Sequence, residues 1–395
     1  MKAAVVAVTT TDKKNIEKIR KENFELDGGH SANICYTEKD WDEIVEESYD
    51  KTINRINGNK SNNHHSVFGH DEISLYFTGI PKLLAMLLNN EHEYNTSEKS
   101  ARYTKMAPIK EELEIYEKWI KILEKEIKKR YPNEKFLDDK KIHKLAMENA
   151  RYFISVMTPT KMKYTTSFRQ LNYIYFFCLK MLNEPTKNRL IEILKPSLEE
   201  FINCLENTGF IDKEITDYRN RSFSLIVDNN DFPEYFGRVY STNYQSSFAS
   251  LAQQQRHRTL NYNMSYPNFL TYYIPPIIED NEQMKKYWLD DMNYLFSKNC
   301  VPQGTLVNIN ENGTYENFIL KLKERLCTEA QLETCMQCKK TLKKYIKALK
   351  SEKDNRMLPI LNDLEKINTG SRCQFGYHCS KPCGFQEGIM LTRKI

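Results

Sequence analysis

The chain has 395 residues, and its 58 basic side chains are interleaved with 53 acidic ones, so a net charge of +5 calls for no nucleic-acid surface. Hydrophobic residues at 40% and aromatics at 12% can supply cores for two domain-sized units. A mean hydropathy of -0.66 and the lack of a run of about 18 apolar residues exclude a membrane span from the reading.

The apolar start, Ala3 to Val8, is short for a signal peptide and runs into Thr9-Thr10-Thr11-Asp12, a poor cleavage site, so it reads as a first β-strand. Ile73 to Phe77 reads as a second strand, and Ile80-Pro81 opens a helix through Leu88. Taken alone, Ser97 to Tyr103 is a helix start, with the serine as cap and Glu98 in the first turn. Leu113, Tyr116, Ile120, Leu123 and Ile127 recur at helical spacing and predict an amphipathic helix that stops at Tyr131-Pro132. Leu171 to Leu182 is apolar on nearly every face and predicts a buried helix. Helical periodicity ends near Asn207-Thr208-Gly209, which divides the chain into α+β lobes at 1–206 and 207–395, and Ser222 to Val227 is expected to begin the second sheet.

Two short motifs complete one another. Gln253-Gln254-Gln255-Arg256-His257-Arg258, followed by Asn263, is the front of a signature whose back half stands far upstream as Ser97-Glu98-Lys99-Ser100-Ala101-Arg102-Tyr103. Joined, the pieces resemble the signature of flavin-dependent thymidylate synthases. The flanks fit an internal duplication: Asn90-Glu91-His92 stands in the first copy where Arg-His-Arg belongs, and Met264, Tyr266 and Asn268 stand in the second where Glu, Ser and Arg belong. Downstream, Ala150-Arg151 answers to Ser297-Lys298, and Arg325 with Ala330-Gln331 answers to Cys178. The losses are complementary.

The resemblance implies two tandem synthase-like lobes, each a sheet with packed helices, forming a pseudo-dimer, and a homodimeric assembly of four lobes. It implies reductive methylation of dUMP to dTMP, with FAD as hydride carrier, NADPH as reductant and methylenetetrahydrofolate as carbon donor. By the family motif, dUMP falls to Gln253, Arg256 and Arg325 of the second lobe and to Glu98, Ser100, Arg102 and Arg151 of the first. Guanidinium forks suit the phosphate, and a cation at the ring edge, here Arg325, stabilises deprotonated uracil, the catalytic role. The opposite pairing, with Leu87, Asn90, Cys178, Tyr266, Asn268 and Lys298, keeps at most one cation and is expected to be dead. FAD is assigned to Arg256, His257, Arg258, Glu98, the Ser66 hydroxyl of His65-Ser66, and Arg169, whose Ser167-Phe168-Arg169 replaces the family's asparagine.

Six of the ten cysteines fall from Cys327 onward. Cys327, Cys373, Cys379 and Cys383 resemble a cysteine-bearing tail seen in some family members and are read as a structural zinc set, with Cys335 and Cys338 as possible substitutes and reduced thiols as the competing reading. His64, His65 and His70 lack a carboxylate or cysteine partner at metal-ligand spacing. Nothing suggests secretion, so a cytoplasmic enzyme with small-molecule partners is expected. The alternatives are a pyrimidine-nucleotide hydroxymethylase on the same scaffold and an inactive nucleotide-binding paralogue.

Overall fold

The structure, a computed structural model, describes residues 1–9, 24–100, 106–132, 136–216, 221–229, 232–328, 330–352, 354–368 and 393–395; Arg102, Cys373, Cys379 and Cys383 lie outside them. In chain order the first elements are β1 (Lys2–Val8), α1 (Leu26–Asn33), α2 (Trp41–Val45), α3 (Tyr49–Ser61), β2 (Glu72–Pro81), α4 (Lys82–Leu88), β3 (Tyr94–Glu98), α5 (Lys110–Arg130), α6 (Asp139–Ala150), β4 (Pro159–Ser167), α7 (Phe168–Asn183) and α8 (Arg189–Glu206). The expected strands at Ala3 and Ile73 and the helices at Lys82, Leu113 and Leu171 are all present. There follow β5 (Tyr235–Phe236), β6 (Val239–Ser247), α9 (Phe248–Gln254), β7 (Asn261–Ser265), α10 (Glu282–Ser297), β8 (Leu306–Thr314), α11 (Tyr315–Arg325), α12 (Leu332–Glu352) and α13 (Leu358–Ile367).

Two antiparallel four-stranded sheets result, ordered β1-β2-β4-β3 and β5-β6-β8-β7. The two orders are the same topology. Register carries the likeness to single residues: Pro81 pairs with Pro159 at the end of β2, and Ser247 pairs with Leu306 at the end of β6. The helix that follows each of these strands has seven residues.

A recurrent sequence device sets the strand-to-helix corners. Ser167, Ser247 and Thr314 each end a strand in extended conformation and accept from the backbone N–H three residues on, capping α7, α9 and α11. Pro81 holds the same place before α4 and offers no side-chain cap. Gly79 meets a different need, since its φ of +77° at the β2 bulge lies where side-chain-bearing residues are strained.

Compact packing does not follow the 206/207 division. One unit comprises Met1–Lys99 with Pro159–Phe223, and the other Ser100–Thr158 with Ser224–Ile395. Residues 100–158 join the second unit because Trp119, Ile120 and Leu123 of α5, and Phe153 just after α6, are buried against Trp288, Met292 and Leu295 of α10. Trp119 meets Trp288 edge-on at 4.9 Å, and Trp119 Nε1 donates to Asp291 at 2.6 Å. In the first unit β2 presents Ile73, Leu75 and Phe77 to the core, with Phe77 5.3 Å from Phe201 of α8.

Ser222 to Val227 forms no strand of the second sheet. Ile226 makes only an isolated parallel bridge to Met264, and the sheet begins at Tyr235. Asp228-Asn229-Asn230-Asp231 and Pro233 interrupt the pattern there. Ser97-Glu98 lies at the end of β3, paired with Lys163 and Met162, and does not start a helix.

Within the second unit one pairing bears on ancestry. Ser155 bridges Pro302, Val156 N–H donates to Val301 at 2.9 Å, and Gln303 N–H donates to Ile154 at 2.9 Å. In the register that equates Arg151 with Lys298, these two bonds are one bond seen from either side. Reciprocal pairing of this kind is what a two-fold relation between equivalent segments produces.

Candidate functional site

Gln253 sits in the last turn of α9, where the Ser247 cap fixes the start of the helix. Its side-chain oxygen accepts from Gln331 N–H at 3.3 Å and from Thr334 Oγ1 at 3.1 Å, and its backbone carbonyl accepts from Arg325 Nη2 at 3.4 Å. Arg325, in the last turn of α11, keeps 13% of its side chain exposed. Arg151 caps α6, is buried, and donates through Nη2 to Gln331 Oε1 and to the Ala249 carbonyl. Three predicted nucleotide residues, Arg151, Gln253 and Arg325, are thus joined through Gln331.

Gln331 was visible in the sequence only as half of an Ala-Gln marker. Its amide donates to the Tyr152 hydroxyl, which donates to Glu333 Oε2 at 2.7 Å. Glu333 also accepts from Ser246 Oγ at 2.9 Å and from both the N–H and Oγ of Ser247, at 2.7 and 2.6 Å. Burial, followed by the Glu333 charge, holds the Tyr152 hydroxyl far above its ordinary pKa, so it stays a donor. The chain runs unbroken from Arg151 to the cap of α9.

A second buried network under the same helix escaped sequence reading altogether. Lys321 of α11, 1% exposed, donates to Glu311 at 2.6 Å and to Gln254 at 2.8 Å, and Glu311 also accepts from Tyr240 at 2.7 Å and Tyr244 at 2.5 Å. The equivalent positions of the first unit are Ile174, Tyr164 and Leu88, where the Tyr164 hydroxyl donates to the Leu88 carbonyl at 3.1 Å and no ion pair is made. One lysine in a charged chain gives no signal of burial. Its spacing four residues before Arg325 is the clue that was available.

The Arg-His-Arg turn follows directly. Arg256 is exposed, Arg258 half-buried and His257 buried. His257 Nε2 has no hydrogen-bond partner among the described residues and stands 3.7 Å from Glu324. Burial, then Arg325 and Lys321, pushes its pKa down to about 2, so the imidazole is neutral at working pH.

In the first unit Glu98 receives Lys82 Nζ at 2.6 Å and Asn89 Nδ2 at 3.2 Å; Ser100, which begins a segment of the second unit, is half-buried. Ser66 lies on the 3-10 turn His65–Gly69, and Arg169 opens α7 with its guanidinium against Gly69, where an added Cβ would come within 3.8 Å of Nη2. Arg169 Nε is buried without a hydrogen-bond partner among the described residues, and the Tyr173 hydroxyl lies 3.4 Å from His65 Nδ1. A guanidinium with a buried, unmatched donor suits the phosphates of a dinucleotide, so Arg169 fits a flavin nucleotide.

The first copy of the motif is chemically different. Leu87 and Cys178 are fully buried, and Cys178 is pushed far above its ordinary pKa by burial and by Glu91. Glu91, where the second copy has His257, is 1% exposed and paired with Arg221 at 2.7 Å, and Arg221 lies 4.8 Å over the Phe177 ring. No phosphate-binding cation remains among the motif positions Leu87, Asn90 and Cys178. Of the cysteines, Cys327 is half-buried and Cys335 and Cys338 are buried on α12; the described residues hold no group of three or more potential metal ligands, and Cys373, Cys379 and Cys383 lie outside them. No helix among the described residues is long and apolar enough to cross a membrane.

Sheets of repeated topology with packed helices make this a mixed α/β protein, and in its second unit Arg151, Gln331, Gln253 and Arg325 are joined by hydrogen bonds. Residues 23–187 match the family model described as thymidylate synthase complementing protein. No curated protein matches the chain. Similar solved structures include thymidylate synthase X from Helicobacter pylori with FAD and dUMP, 14% identical over 54% of this chain and 95% of that one, TM-score 0.31. Another is the UMP/dUMP methylase PolB from Streptomyces cacaoi with 5-Br dUMP, 16% identical over 53% of this chain and 96% of that one, TM-score 0.30.

Proposed function

We propose that the protein is a flavin-dependent thymidylate synthase that methylates dUMP, built as a tandem repeat with repeat boundaries at 1–206 and 207–395, and carrying one working nucleotide site per chain. The observation that carries this reading is the linkage of Arg151, Gln253 and Arg325 through Gln331, residues that the family motif assigns to dUMP. Repeated strand order and the reciprocal Ile154–Gln303 and Val156–Val301 bonds support the duplication.

On this reading Arg151 and Arg256 neutralise phosphate, and Gln253 orients the base. Arg325 stands at the ring edge, where a cation stabilises the deprotonated pyrimidine and so raises electron density at its methyl-accepting carbon. The family motif alone assigns Glu98, Ser100 and Arg102 to the same nucleotide. Neutral His257 would present a hydrogen-bonding imidazole to the flavin without adding charge, and Ser66, Arg169, Arg256 and Arg258 would hold it. When bound, FAD supplies the hydride; NADPH and methylenetetrahydrofolate are the proposed reductant and carbon donor. A cytoplasmic homodimer and a structural zinc held by Cys327 with Cys373, Cys379 and Cys383 complete the proposal. The hydroxymethylase reading shares every residue named and differs only in the group transferred.

Titration with 5-fluoro-dUMP tests the site. About one nucleotide per chain is expected, lost in Arg102→Ala and Arg256→Ala and kept in Lys298→Ala, with Arg325→Ala mainly lowering turnover. Two equivalent nucleotides per chain would refute the single-site reading.

A further inference from the structure

A cavity in the unit that contains α12 is lined by cations. It holds about 320 Å³ and is bordered by Lys339, Lys340 and Lys343 of α12 and by Arg393 and Lys394. Met336 and Pro276 supply apolar wall, and Glu279 is the one acid among the described lining residues. Positions 336, 339, 340 and 343 follow helical i, i+3, i+4 and i+7 spacing, so α12 turns a single face to the cavity. Like charges on one helical face destabilise it unless negative charge stands opposite.

The opposite wall is anchored rather than loose. Arg393 donates to the carbonyls of Thr328 at 3.1 Å, Cys327 at 3.3 Å and Ala330 at 2.6 Å. Lys394 N–H donates to the Tyr131 hydroxyl at 2.9 Å, and Ile395, 1% exposed, is buried in the aromatic core around Trp119 and Trp288. Lys394 is therefore presented from fixed backbone, and Arg393, its guanidinium given to those carbonyls, holds the residue adjoining Gln331.

We propose that this cavity binds a small polyanion, a molecule with two or more phosphate or carboxylate groups and an apolar portion that lies on Met336 and Pro276. Lysine ammoniums bind such groups as point charges without demanding one geometry, and the volume is that of a small-molecule site. The proposal goes beyond the pyrimidine reading and does not depend on it.

Calorimetric titration of the full chain at low salt with inorganic tripolyphosphate and with citrate tests it. At least one is expected to bind at about one per chain, to weaken tenfold or more in Lys340→Glu/Lys343→Glu, and to change less than about twofold in Lys121→Glu/Lys286→Glu, which alters charge equally on exposed faces of α5 and α10. The tighter of the two identifies phosphate or carboxylate as the group recognised. If the first variant loses its helical circular dichroism, Lys340→Gln/Lys343→Gln is read by the same criteria. Failure of both probes to bind, or equal losses in the cavity and control variants, would overturn the proposal.

Discussion

Replacing Gln331 by leucine removes the joint of the candidate site at nearly constant volume. Arg151, buried, loses its side-chain acceptor, and a hydrogen bond to a charged partner contributes about 1.5–3 kcal/mol. The Tyr152 hydroxyl loses its donor, about 1 kcal/mol, while retaining its bond to Glu333. The backbone bond from residue 331 to Gln253 survives. The sum is a destabilisation of about 3 kcal/mol, read by urea unfolding with linear extrapolation. Because Gln331 and Tyr152 share a bond, the double change with Tyr152→Phe should cost less than the two single changes added, by about 0.5–1 kcal/mol. Nucleotide affinity should fall in parallel, since Arg151 is no longer held. A Gln331→Leu protein within about 0.5 kcal/mol of the parent, with additive effects at Tyr152, would refute the network.

Other outcomes follow from single groups. His257, depressed to about 2 by burial, Arg325 and Lys321, binds its proton more readily unfolded than folded, so it contributes stability that is present above about pH 6.5 and lost as pH falls; His257→Gln should flatten that acid slope in chemical denaturation. Asp71, pushed up to about 8 by burial and then by Asp27, has the opposite sign: its stabilisation is full below about pH 4 and lost as pH rises through 8, so Asp71→Asn should remove the alkaline loss while Gly28 N–H keeps an acceptor. Gly304→Ala should destabilise by about 1–3 kcal/mol, because the new Cβ meets Met292 Cε at 2.9 Å and Tyr152 Cβ at 3.0 Å. Cys379→Ser should lower thermal stability before it alters a flavin spectrum, and metal analysis should find zinc; metal-free protein with labellable thiols would remove the zinc from the proposal.

What could be read in advance was what repeats locally. Alternating β-branched residues gave β1 and β2, heptad-like spacing gave α5, and a full apolar circumference gave α7. The divided motif marked Gln253, Arg256 and Arg325 as candidates, and one capped helix sets the spacing from Ser247 to Gln253. Ser222 to Val227 failed because Asp228, Asn229 and Pro233 follow it, and its pairing with β7 stops at a single bridge at Ile226. The regrouping of residues 100–158 was invisible, since α5 shows which face it buries and never against what. Glu333, Lys321 and Gln331 were missed for a related reason: a buried polar side chain looks like a surface one until its partners, far off in sequence, are in place.

The proposed activity, dTMP from dUMP through a bound flavin, is directly measurable. Purified protein given FAD, NADPH, methylenetetrahydrofolate and dUMP should release dTMP, identified by mass, with Arg325→Ala abolishing release while leaving flavin absorbance in place. Release of a hydroxymethyl product, or no product from protein that binds neither flavin nor dUMP, would contradict it.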